Sequence, residues 1–173
     1  MSTNCYKPLN LKRGAASDGV SAYFASAGSY VAGDILKLDA NGKFDHFLSY
    51  GSNNTDNGAS DTPAVILDFD LTITSADLTT KYTLPAIRYT EFWLPATDNS
   101  PADGSNIAVT PTEAMVNDAM VIRRIQNDQG DTGWRGRYAA VTDLTTNAIA
   151  YCTGIDTVNK AVRLRIIDSK SRP

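Results

Sequence analysis

The sequence predicts a mainly β, turn-rich protein with one short helix and an extended N-terminal arm, and three observations lead there. Of its 19 acidic residues, 17 are Asp and only Glu91 and Glu113 are Glu; Glu is a good helix former, whereas Asp prefers turns. Thr occurs 18 times and fits the pleated surface of a strand. Short apolar runs recur between Gly-, Asn- and Asp-rich breaks, the pattern of strands joined by turns.

Taken in order, residues 1–29 show no sustained period. Lys7-Pro8-Leu9 and Arg13-Gly14 suggest an extended arm, and Ala15 to Gly28 is rich in small residues that bury little. Asp34–Asp39 and Lys43–Leu48 flank Ala40-Asn41-Gly42 and read as a hairpin, because Asn-Gly accepts positive φ. Tyr50 to Thr62 is a polar loop. Pro63–Asp70 reads as a strand with Val65, Leu67 and Phe69 on one face, followed by a loop or edge strand over 72–80. Lys81 to Tyr89 alternates, but Pro85 lacks an N–H, which assigns this strand to an edge or a bulge. Glu91-Phe-Trp-Leu-Pro95 gathers the largest side chains.

After the polar break at 98–106, Thr110-Pro-Thr-Glu113 has the form of a helix start, with Thr as N-cap and Pro at the first helical position. A short helix over 111–124 would place Met115, Ala119 and Ile122 on one face; Met120–Ile125 reads equally as a strand. Three strand-like runs follow at 134–141, 148–153 and 161–167, the last two pairing around Asp156–Asn159. In the final run Val162, Leu164 and Ile166 alternate with Arg163 and Arg165, a half-exposed strand. The expected organisation is an arm over 1–29, a β body over 30–97, and a helix with strands over 98–173. That last part forms either a separate lobe or part of the same domain.

At 173 residues the chain has the size of one ordinary domain, and a hydrophobic fraction of 42% with 20% charged suits a soluble protein. No apolar run reaches the ~18 residues that span a bilayer, and the first residues lack the apolar core of a signal peptide. Synthesis in a cytoplasm and no membrane partner are the expectations. Cys5 and Cys152 are too few for a disulfide framework and read as ordinary thiols. Charge is segregated. Residues 1–13 carry three basic side chains and no acid, 14–122 carry four basic and 14 acidic, and 123–173 carry nine basic and five acidic. Such a distribution suits self-association through unlike surfaces, or docking of a basic end on an acidic partner; solvated surface charge is the plainer alternative.

The residues that bond-making chemistry needs do not come together. His46 is the sole histidine and lies in a strand beside aromatics, with no nucleophile-elbow pattern. Asp39-Ala-Asn-Gly42 and Asp68-Phe-Asp70 resemble fragments of calcium loops but lack the later bidentate Glu, and read as a hairpin turn and a strand end. Gly130–Gly136 lacks the Lys-Ser/Thr ending of a phosphate loop. Arg123, Arg124, Arg135 and Arg137 interleave with Trp134 and Tyr138 as in single-strand binders, but the acidic balance, pI ≈ 5.0, favours the basic face of a strand pair. The expectation is therefore no catalytic residue, no cofactor, no metal site, no nucleic-acid partner and no enzyme activity.

One resemblance stands beside this reading. Gly33-Asp-Ile-Leu-Lys-Leu-Asp-Ala-Asn-Gly-Lys-Phe44, a polar loop ending Ala59-Ser-Asp61, Pro63-Ala-Val-Ile-Leu-Asp-Phe-Asp70, and Tyr82–Tyr89 leading into Phe92-Trp-Leu-Pro-Ala96 resemble the lambda-type bacteriophage head decoration (capsid cement) protein family. The likeness covers a little more than a third of the chain. It departs at Pro85-Ala86-Ile87, where the family usually has Gly before an aromatic, and in the longer tail after residue 97.

The resemblance implies a small barrel-like body of β-tulip type, a homotrimer, and binding to the major capsid protein on the outer surface of the virion. It also implies an N-terminal arm that orders against the shell, for which Tyr6, Lys7, Leu9, Leu11, Lys12 and Arg13 are the candidates. Phe92 and Trp93 are candidates for core or subunit-interface packing, the core being favoured for large aromatics. Competing functional readings are another virion β module, such as a head fibre base, spike or tail-associated protein, and a hydrolase or sugar-binding module using Trp93, Trp134 and nearby Asp residues as a carbohydrate platform.

Overall fold

A computed structural model of the chain describes residues 19–48, 62–88, 90–98, 108–124, 138–142 and 147–167. They form a mainly β protein of twelve strands in two neighbouring parts.

The first part holds β1 (Gly19–Ala22), β2 (Gly28–Tyr30), β3 (Ile35–Leu38), β4 (Phe44–His46), β5 (Pro63–Ile66), β6 (Leu71–Ile73) and β7 (Tyr82–Pro85). β3 lies between β4 and β5 in an antiparallel sheet, while β1 pairs with β7 and β2 with β6. The expected hairpin is there. Asp39 Oδ1 accepts the N–H groups of Asn41 and Lys43, both at 2.8 Å, and Gly42 alone in the turn takes a positive φ, 71°. The loop is thus longer than a two-residue Asn-Gly turn. Pro85 ends β7, in a two-stranded ribbon, where a missing N–H costs no ladder bond.

The second part is a closed five-stranded barrel made of β8 (Glu91–Thr97), β9 (Ala119–Arg124), β10 (Tyr138–Val141), β11 (Ala150–Asp156) and β12 (Ala161–Ile166), in the order β10-β8-β12-β11-β9. All pairings are antiparallel except that of β8 with β10. Closure removes the open edges that an exposed sheet would present.

One sheet ties the two parts together. Along β3 and β5 successive side chains point to opposite faces. Ile35 and its cross-strand partner Ile66 join the barrel core with Phe92, Leu94, Ile122 and Leu164; Leu36 and its partner Val65 join a second core with Phe24, Tyr30 and Phe44. A strand buried on both faces reads as a continuous apolar run, which accounts for Pro63-Ala-Val-Ile66 being buried throughout. Polar contacts reinforce the join. The buried Tyr138 hydroxyl donates to Ile35 O at 2.8 Å and to Phe47 O, and Arg124 Nη1 donates to Leu48 O at 3.2 Å.

Four expectations change. Of the arm expected over 1–29, residues 19–29 belong to the body, since β1 and β2 lie there and Phe24 between them is fully buried, while residues 1–18 lie outside the described residues. The boundary expected at 97 falls inside the barrel: β8, Glu91–Thr97, is a barrel strand, so the barrel begins at Glu91 and shares its core with the first part. The helix expected over 111–124 is a single 3-10 turn, Glu113–Met115, followed by Asn117 at φ 75° and then β9. A left-handed residue ends helical winding, and Met120–Arg124 are all buried, as suits a strand within a closed barrel. Finally, β5 stops at Ile66, so Phe69 does not continue the face of Val65 and Leu67 but stands 43% exposed.

Candidate interaction surface

The exposed side of the barrel carries the most varied chemistry. Period-two alternation sends Phe92 and Leu94 of β8, Leu164 and Ile166 of β12, and Cys152 of β11 into the core. It leaves Glu91 and Trp93, Arg163 and Arg165, and Tyr151 and Thr153 on the outside. Register then makes neighbours of residues distant in sequence: Arg163 lies opposite Trp93, and Arg165 lies opposite both Glu91 and Tyr151.

Arg163 is fixed within this face. Its Nε donates to Thr153 Oγ1 at 3.1 Å and its Nη2 to Thr153 O at 2.9 Å, while Glu91 Oε2 lies 3.5 Å from Nε. Its guanidinium carbon sits 5.8 Å from the centre of the Trp93 ring, within the range of a cation–π attraction of about 0.5–1 kcal/mol at such a partly open site. Gly154 makes this possible: a Cβ there would come within 3.1 Å of Arg163 Nη2. The β11 ladder shifts register between Cys152 and Gly154, and such a bulge re-aims side chains. Tyr151 is 47% exposed and Arg165 is exposed. Trp, Tyr and Arg are the residues that anchor protein interfaces.

Beside this face a cleft of about 650 Å³ opens, with Asn117, Tyr151 and Arg165 among its polar lining and Cys152, Ile166 and Ile167 as its apolar lining. Burial pushes the Cys152 thiol up from its usual pKa, and Sγ donates to Gly154 O at 3.3 Å.

Of the sequence candidates, Phe92 is fully buried in the barrel core, whereas Trp93 is half-buried on the outer face. The arm residues Tyr6, Lys7, Leu9, Leu11, Lys12 and Arg13 lie outside the described residues, as do Trp134, Arg135 and Arg137. Arg123, Arg124 and Tyr138 are buried, so these three form no exposed basic strip. His46 stacks on Tyr30, with ring centroids 4.8 Å apart and 23° between planes. Its Nδ1 is 4.0 Å from Oδ2 of the fully buried Asp34, and that oxygen accepts the Val31 N–H at 2.9 Å. This is a packing environment. Among the described residues no three His, Cys, Asp or Glu side chains are grouped to hold a metal ion, and no helix is long and apolar enough to cross a membrane.

Sequence reasoning found the Arg163 and Arg165 alternation but missed Tyr151, Thr153 and the cleft. Only the strand register, which no local pattern encodes, sets Tyr151 opposite Arg165 and brings Thr153 to Arg163. Compared with known proteins, the chain matches no family model, no curated protein and no solved structure.

Proposed function

We propose that this chain is a phage head decoration protein, binding the major capsid protein on the outer surface of the expanded shell and holding that shell against internal DNA pressure. The observation that carries the reading is the placement of the segments that resemble the decoration family. Gly33–Phe44 and Pro63–Asp70 supply β3, β5 and the start of β4, adjacent strands of the sheet that joins both cores. These two stretches therefore sit together at the centre of the body, while the other segments of the likeness contribute β7, paired with β1, and the barrel strand β8.

The mechanism is differential binding. A ligand that binds only one state of a two-state lattice lowers that state's free energy by RT ln(1 + [L]/Kd) at each site, about 2.7 kcal/mol at a hundredfold excess over Kd. Summed over many sites, small terms hold open seams together. The arm residues Tyr6, Lys7, Leu9, Leu11, Lys12 and Arg13 precede β1 in sequence and supply apolar groups and positive charge for the capsid contact; an extended segment of this kind adds backbone hydrogen bonds by joining an exposed sheet edge. Self-association as a homotrimer, with synthesis in the host cytoplasm before assembly, belongs to the same reading.

The test is to mix purified protein with undecorated expanded and unexpanded shells and sediment them. Co-sedimentation with expanded shells alone is expected, and deletion of residues 2–13 should abolish it while leaving a folded body. Equal binding to both shells, or none, would refute the reading; unchanged occupancy after the deletion would remove the arm from it.

A further inference from the structure

The β11–β12 hairpin carries unlike features at its two ends. At the closed end the chain turns through Thr157–Lys160, between the paired residues Asp156 and Ala161. Asp156 Oδ1 accepts the N–H groups of Val158 and Asn159, each at 3.0 Å, and Oδ2 accepts Asn159 Nδ2 at 2.8 Å. Lys160 completes the turn at φ 51°. The clamp leaves Val158 87% exposed at the tip. Scattered exposed apolar residues are ordinary on protein surfaces. A valine held out by a turn whose backbone is already ordered is different, because the entropy of fixing a docking loop has been removed in advance.

The open end of the same hairpin, where Tyr151 pairs with Arg165, borders the cleft of about 650 Å³. That volume lies in the range that takes a small ligand or several side chains. Ile167 gives it a partly open apolar wall, with Ile166 and Cys152 behind it in the core, and Arg165 gives it positive charge. Tip and cleft are separated by the length of β11 from Tyr151 to Asp156, roughly 17 Å at the usual rise per residue. A molecule therefore cannot fill its own cleft with its own tip.

We propose that the Thr157–Asn159 tip of one copy of this chain docks in the cleft beside Tyr151 and Arg165 of a second copy. Val158 meets the apolar wall at Ile167, and the carboxylate of Asp156 at the base of the tip meets the Arg165 guanidinium of the receiving copy. The two surfaces differ, so the contact is heterologous. It repeats head to tail and terminates where the rotation closes a ring. The inference deepens the self-association within the proposed function, and its test uses the protein alone, so its failure and the failure of capsid binding are separate results.

The full chain is measured by sedimentation velocity over a wide concentration range, with Val158→Asp disabling the tip and Tyr151→Glu disabling the cleft. Neither side chain belongs to a core, and thermal unfolding checks that both variants fold. Wild type should form species larger than a monomer, and each variant alone should lose that association. An equimolar mixture of the two should give a dimer and nothing larger, since the intact tip of one meets the intact cleft of the other. If either variant unfolds, Val158→Lys and Arg165→Glu repeat the measurement. Wild type that stays monomeric, variants that associate as wild type does, or a mixture that stays monomeric would each overturn the proposal.

Discussion

Replacing Tyr138 by Phe removes one oxygen from the join between barrel and sheet and leaves the ring in place. The hydroxyl is fully buried and shares its proton between Ile35 O, at 2.8 Å, and Phe47 O. Ile35 O also accepts the Phe47 N–H at 2.9 Å, so it keeps a donor after the substitution; Phe47 O loses the tyrosine donor. A buried hydrogen bond contributes about 1 kcal/mol net, and stripping a buried acceptor of its donor costs about 1–3 kcal/mol. Roughly 2 kcal/mol of destabilisation follows. For a chain of this size 1 kcal/mol corresponds to about 2–4 °C, so Tm should fall by about 4–8 °C. Thermal unfolding followed by circular dichroism measures this, with urea unfolding as a check that the m-value, and hence the surface exposed, is unchanged. Because Ile35, Ile66 and Ile87 share one core with the barrel, the transition should remain single. A Tm drop below about 1 °C would refute the argument, leaving apolar contact and the Arg124–Leu48 hydrogen bond to hold the two parts together.

Three further outcomes are expected. Phe92→Ala, emptying a fully buried site in the barrel core, should cost about 3–5 kcal/mol, whereas Trp93→Ala on the outer face should cost less than about 2 kcal/mol; parallel urea titrations compare them, and equal losses would contradict the assigned faces. Lys160→Gly should raise stability by about 0.5 kcal/mol, because relief of left-handed strain at φ 51° outweighs the entropy that glycine adds to the unfolded chain; calorimetry showing a lower Tm would oppose this. Asp156 is held below the usual value of 3.8 by the Asn159 side chain and then by the backbone N–H of Asn159, and Asp77 is held low by the Thr74 hydroxyl and N–H. Their stabilising effect is complete above pH 3.8 and is lost as pH falls through the lower folded-state values, so Asp156→Asn should flatten the acid limb of stability against pH; an unaltered limb would count against the clamp.

How much of this was legible in the sequence depends on how far each element reaches for its partner. The β3–β4 and β11–β12 hairpins are local, and Asp39 with Gly42, or Asp156 with Asn159, mark their turns directly. β1 and β2 gave no signal because their partners, β7 and β6, lie some 40 to 60 residues away, and small residues such as Gly19 and Ser21 show no period of their own. The region 111–124 reads as a helix because Thr-Pro-Thr-Glu is a sound start for one. Yet the following Met-Val-Ile-Arg-Arg is needed to close the barrel between β10 and β11, and tertiary pairing overrides the local preference. Trp93 and Arg163 are neighbours only through the register of β8 on β12. The cleft depends on where β11 and β12 end, which no pattern of apolar residues specifies.

The continuous core constrains what a self-association of the proposed kind can build. The tip at Val158 and the cleft at Arg165 both belong to β11–β12, and that pair packs on the core shared by β8, β3 and β5. Close-packed interiors deform little, so each head-to-tail contact applies the same rotation and translation as the last. A fixed rotation that closes gives a ring of defined size, and one that does not close gives a filament. A shell-stabilising protein requires the first, since its copies must stop adding where a lattice site is filled. Linking copies in this way also raises the effective concentration of each remaining arm once one arm is bound. On the proposed reading, self-association through the barrel therefore converts individually weak arm contacts into stable attachment.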